Sequence, residues 1–196
     1  VKELSGDRLG YLHIEWMGPA QLALFEKEFY NLTKEKEGVI IDVRFNPGGD
    51  ISEQLIDILD RRKFGYTLER GWDDYIAQPL TYSRVPTVVL INESSYSDAE
   101  LFPAAYKGLN LGKIIGMETY GAVIGTTEAG LPGGYSLRLP CEGWYRSDHR
   151  NLENEGVKPD IEVPWPPDAI SQNRDPQIEK AVQELLKNKG TEETKE

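Results

Sequence analysis

The sequence is poor in the residues that most often announce chemistry. Its 196 residues hold one cysteine, two histidines and two methionines. A lone thiol, Cys141, closes no internal disulfide, so nothing points to an oxidising compartment and a cytoplasmic setting is favoured over a periplasmic one. No histidine, cysteine or acid cluster has metal-ligand spacing, and neither a metal nor another cofactor is expected. Basic residues are also scarce: 22 Lys and Arg stand against 33 Asp and Glu, a net charge of −11. That balance argues against nucleic acid as a partner and against docking on anionic lipid. No apolar run approaches the ~18 residues of a membrane span, and the opening "VKELSGDRLG" lacks the form of a signal peptide.

What remains is the pattern of an α/β domain. A hydrophobic content of 39% over this length suits one globular unit with a core that needs no staples. "RLGYLHIEWM" (8–17) reads as a strand, and "QLALFEKEFYNLTKEK" as an amphipathic helix. "GVIIDVRFN" (38–46) is nearly continuous in apolar residues, the mark of a strand covered on both faces. A "PGG" turn follows, then a helix in "DISEQLIDILDRR" with Asp50 placed to cap it. "FGYTLER" predicts a short strand and "GWDDYIAQPLTYSR" a loop with bulky anchors. "VPTVVLINE" predicts a second buried strand, leading to a helix over about 97–109. "GKIIGMETYG" adds a strand and a Gly-rich turn. From 121 to 164 the texture is Gly, Pro and aromatics, read as strands and loops. A helix over 175–188 and a frayed charged tail close the chain.

Alternating β and α units imply a sheet with right-handed crossovers, and sites in such sheets gather at the carboxyl ends of strands. Two strand ends carry suggestive residues, "NPGGD" and "NESSYSD". Ser97-Asp98-Ala99-Glu100 matches a capping box, which needs no chemistry. The same serine, lying between a buried strand and a helix N-terminus, is also placed where free N–H groups could stabilise an oxyanion. It lacks the G-x-S-x-G signature. Gly48 and Gly49 either close a simple turn or let a backbone N–H approach a substrate carbonyl. His13 falls within a strand and His149 in a polar loop, and neither is placed as an obvious base.

Taken in order, "GVIIDVRFNPGGD", "VVLINESSYSDAELF", "GKIIGMETYGAVIGT" and "NLENEGVKPDIEV" resemble the core of the S41 serine peptidases, the tail-specific and tricorn proteases. The likeness runs over roughly residues 8–188. It implies a ClpP/crotonase-like βα superhelix as the fold. Tail-specific proteases use a Ser–Lys dyad, with the lysine in a T-[FY]-G-K-G turn; here the turn is "TYGAV", with Ala122 at the lysine position. The chain therefore resembles the tricorn branch, which is similar to a Ser-His-Ser-Glu tetrad.

By that resemblance Ser97 is the nucleophile, and Glu153 the catalytic glutamate with Glu155 as second choice. The Asp98 N–H, with that of Gly49 or Gly48, forms the oxyanion hole. Gly121, Ile124 and Gly125 bind substrate, a peptide or unfolded polypeptide. In the tricorn branch the histidine lies upstream of a PDZ module that precedes this core, and His13 matches a different strand position. Residues 1–190 are thus expected to be the core of a longer, homo-oligomeric peptidase, largely inactive alone, with a disordered tail at 191–196. Two other readings stay open: a non-catalytic ligand- or peptide-binding module like the retinoid-binding repeats, and a crotonase-type hydratase or thioesterase. The chain shows no basic cluster suited to the phosphates of coenzyme A.

Overall fold

"GVIID" and "TVVLI" are buried at every position, so each must be covered on both faces. A computed structural model describes residues 1–187 and shows how this is done. In chain order the elements are α1 (Lys2–Ser5), β1 (Leu9–His13), α2 (Pro19–Glu35), β2 (Gly38–Asp42), α3 (Ser52–Leu59), β3 (Gly65–Thr67), β4 (Ile76–Gln78) and β5 (Thr87–Ile91). They continue with α4 (Asp98–Gly108), β6 (Gly112–Gly116), β7 (Ile124–Leu131), β8 (Tyr135–Gly143), β9 (Ile161–Glu162), α5 (Pro167–Ser171) and α6 (Pro176–Lys187). Strands β1-β2-β5-β6-β9 form one parallel sheet in that order.

Strand alternation divides the core. Val39, Ile41, Val89, Ile91 and Ile114 pack with Phe25, Phe29, Leu55, Phe102 and Tyr106, on the face covered by α2, α3 and α4. Ile40, Val88, Leu90 and Ile115 turn the other way, onto Ala181, Val182 and Leu185 of α6. Phe25 and Phe29 stack one helical turn apart with centroids at 5.4 Å. Pro19 begins α2, where its missing N–H costs nothing.

Several expectations need correction. The first strand ends at His13 rather than 17, because its partner β2 ends at Asp42, whose carbonyl takes the last ladder bond from the Ile14 N–H; Met17 keeps only an isolated bridge to Gly49. Part of the expected loop at 71–84 is β4, paired with β3 in a small antiparallel ribbon. Asp50 does not cap α3, whose N-cap position is Ile51 with no side-chain cap of its own. The expected tail at 191–196 lies outside the described residues.

Parallel strands deliver their carboxyl ends to one edge. The loops after β2 and β5 therefore meet there, and β7 and β8 form a second antiparallel ribbon that starts beside them.

Candidate active site

Two asparagines, each just past the end of a buried strand, stitch these loops together. Asn46 donates from Nδ2 to the Ile14 carbonyl at 2.7 Å and accepts the Gly48 N–H at 2.8 Å. Asn92 Oδ1 accepts the N–H groups of Phe45 at 3.0 Å and Ser94 at 3.2 Å. The Ser95 hydroxyl crosses to the Val43 carbonyl at 2.9 Å, and the Tyr96 N–H donates to the Asn46 carbonyl at 3.0 Å. Below them lies a buried ion pair. Arg44 grips Asp42 from Nε and Nη2, the shorter contact being 2.6 Å, and reaches Asp175 and Gln177 near the start of α6, each at 2.8 Å. Burial alone would lower the Arg44 pKa, but the bonds to Asp42 and Asp175 more than reverse this and raise it.

Ser97 sits at this junction, half-buried, as the N-cap of α4. Its backbone has φ 58° and ψ −119°, a region that glycine favours and that strains other residues by about 1–3 kcal/mol. The G-x-S-x-G consensus is missing, yet this is the kind of strained strand-to-helix turn that exposes a serine hydroxyl. Both halves of the capping box are present: the Glu100 N–H faces the Ser97 side chain, and the Ser97 N–H donates to Glu100 Oε1 at 3.1 Å. The Glu100 N–H makes its 2.8 Å hydrogen bond to the Ser97 carbonyl.

The Asp98 carboxylate spans to the other loop. Its Oδ2 accepts the N–H groups of Ile51 at 2.7 Å and Ser52 at 3.0 Å, capping α3 from outside. Gly48 packs so tightly here that an added Cβ would stand 2.7 Å from the Ser97 Cβ. Its N–H is committed to Asn46, whereas the N–H groups of exposed Gly49 and of Asp98 donate to no group among the described residues. Of the three candidate oxyanion donors, two are therefore available.

Glu100 accepts three further hydrogen bonds from the "TYGAV" turn: Thr119 Oγ1 at 2.6 Å, Gly121 N–H at 2.5 Å and Ala122 N–H at 2.9 Å. The Asn154 N–H donates to the Gly121 carbonyl at 2.8 Å, which fastens the loop holding Glu153 to the same turn. Glu155 is engaged at the surface by Arg146 at 2.8 Å. A cavity of about 320 Å³ opens at Ser97, lined among others by Gly49, Asp98, Ile124, Gly125 and Trp144. Gly121, Glu153, His13, His149 and Cys141 do not line it, and no lysine among the described residues does. His13 approaches the Arg44 carbonyl at 3.5 Å, and His149 lies in an exposed turn with its N–H on the Arg146 carbonyl at 2.8 Å.

Sequence reasoning missed Asn46, Asn92, Ser95 and the long-range work of Asp98 and Glu100. Only the asparagines left a signal, as polar residues at the ends of the two apolar runs, Asn92 directly after β5 and Asn46 four residues after β2.

Comparison with known proteins shows the family and the fold. The sequence profile described as peptidase family S41 matches residues 8–163. The tricorn protease of Thermoplasma volcanium is 34% identical over 95% of this chain, and a putative tricorn protease homolog of Streptomyces coelicolor is 36% identical over 95%. The chain spans 18% and 16% of their lengths. A crystal structure of the tricorn protease superposes with a TM-score of 0.85 at 34% identity, over 95% of this chain and 18% of that one. The photosystem II D1 C-terminal processing protease shares the fold, with a TM-score of 0.64 at 24% identity over 79% of this chain and 42% of that one. A lysine-free turn, a strained serine at a helix start and a match along nearly the whole chain converge on one assignment: this is a tricorn-like member of peptidase family S41.

Proposed function

We propose that this chain carries the nucleophile half of a serine endopeptidase acting on peptides or unfolded polypeptides. The observation that supports it most is the strained Ser97, opening on the cavity with two uncommitted N–H groups beside it. In the proposed reaction a base takes the Ser97 Oγ proton as Oγ attacks the peptide carbonyl carbon. The carbonyl oxygen becomes an oxyanion held by the N–H groups of Gly49 and Asp98. Collapse breaks the C–N bond, the base returns its proton to the leaving amine, and water then hydrolyses the acyl-enzyme. An extended substrate adds along the free edge of β7, next to Ile124 and Gly125, with Gly121 in the turn that leads into that strand. Glu153 orients the base or its partner.

The base in this proposal comes from a segment outside the 196 residues. The test is labelling by a fluorophosphonate. The full-length protein is expected to label at Ser97, the Ser97→Ala variant not at all, and the 196-residue chain hardly. Equal, strong labelling of the chain and the full-length protein would place the base within these residues and overturn that part of the proposal.

A second reading, a non-catalytic peptide-binding module, draws on the same absence of histidine and lysine from the Ser97 cavity. It requires the full-length protein to bind peptide without labelling at Ser97.

A further inference from the structure

Glu100 is fully buried, yet its four recorded partners are all uncharged donors. A carboxylate out of water is destabilising unless several hydrogen bonds reach it, and here they come from two separate parts of the chain. One is the N–H of Ser97 itself. The other three belong to the turn at Thr119–Ala122. The Thr119 hydroxyl gives its proton to Glu100 and accepts the Val157 N–H at 2.8 Å. Gly121, also on Glu100, holds Asn154 through its carbonyl at 2.8 Å. One carboxylate thus pins the Ser97 backbone and, through a single turn, the chain at Asn154 and Val157, directly after Glu153.

We propose that Glu100 is a positioning residue for acyl transfer. It holds Ser97 in its strained conformation and keeps the Glu153 loop in register with it, without touching substrate. The proposal rests on Ser97 being the nucleophile. The role calls for an acceptor on both oxygens. A glutamine of the same shape would turn an NH₂ group against N–H or O–H donors, leaving buried donors facing each other.

The experiment measures kcat, KM and the fluorophosphonate labelling rate of Ser97 in the full-length protein. Glu100→Gln is expected to lower kcat and the labelling rate by about 100-fold, the scale of a small misplacement at a reacting group, with KM held within about twofold. Thr119 gives an independent reading. Thr119→Ser keeps the hydroxyl and is expected to keep the rate. Thr119→Val keeps the shape but loses the hydroxyl, and is expected to lose rate along the same path. A purely structural role would lower thermal stability in Glu100→Gln and Thr119→Val yet leave labelling per folded molecule unchanged, and that result overturns the proposal. If Glu100→Gln does not fold, the threonine pair decides alone, equal labelling rates in Ser and Val overturning it. Full turnover in Ser97→Ala would instead remove the nucleophile reading and this proposal with it. An inactive Ser97→Ala beside a fully active Glu100→Gln would remove the positioning role alone.

Discussion

A Cβ on Gly49 would overlap the Met17 carbonyl at 1.8 Å, and both Gly48 and Gly49 have positive φ, 95° and 149°. The need for glycine at a tight turn after β2 was legible in "NPGGD", because turn chemistry is local. The choice between their two N–H groups was not, since it depends on Asn46 turning back to take one of them. Asp98 shows the same limit more sharply. It stands 47 residues from Ile51, the first N–H it accepts, so no local window could reveal that it caps α3 in place of Asp50. Removing that cap with Asp98→Ala is expected to destabilise the fold by about 1–2 kcal/mol, and Asp98→Asn, which keeps an acceptor, by less. Urea titration of the three proteins measures this directly.

The buried strands and long helices were legible because their patterns are self-sufficient. β2 and β5 are buried throughout and nearly continuous in apolar residues, and α6 is amphipathic over its whole length. β4 was not, since Ile76–Gln78 becomes a strand only through its pairing with β3 and hides no continuous apolar face. Helix α6 carries an electrostatic feature of its own. Glu184 is bonded by Lys180 of the same helix and Lys113 of β6, and these hold its pKa down from 4.5 to about 2. Between those values the unfolded chain binds the proton and the folded chain does not. The stabilisation is therefore complete above about pH 4.5 and lost as pH falls towards 2. Glu184→Gln is expected to be less stable at neutral pH and to show a shallower loss of stability across that acid range. Thermal melts at stepped pH values follow the slope.

Over the molecule as a whole, the sheet's parallel order made the location of the site readable before its contents. Carboxyl ends collect on one edge, and "NPGGD" and "NESSYSD" had to meet there. What joins that edge to the opposite face was invisible, because Arg44 links β2 to Gln177 across 133 residues of sequence. Asp42 and Arg44 are 2% and 4% exposed, so each depends on the other for its charge. Arg44→Met is expected to destabilise the protein by about 3–5 kcal/mol, while combining it with Asp42→Leu recovers much of the loss. Equilibrium denaturation of the two variants distinguishes a stranded charge from simple loss of packing.

The dihedral angles of Ser97 have a consequence on the timescale of gene duplication. In the proposed reaction, selection for chemistry keeps a hydroxyl at Ser97 where the backbone alone would favour glycine. A redundant copy, freed from that demand, gains stability from a change to glycine at this position. Glycine there in a related gene would be the trace of a peptidase that retired while keeping its shape.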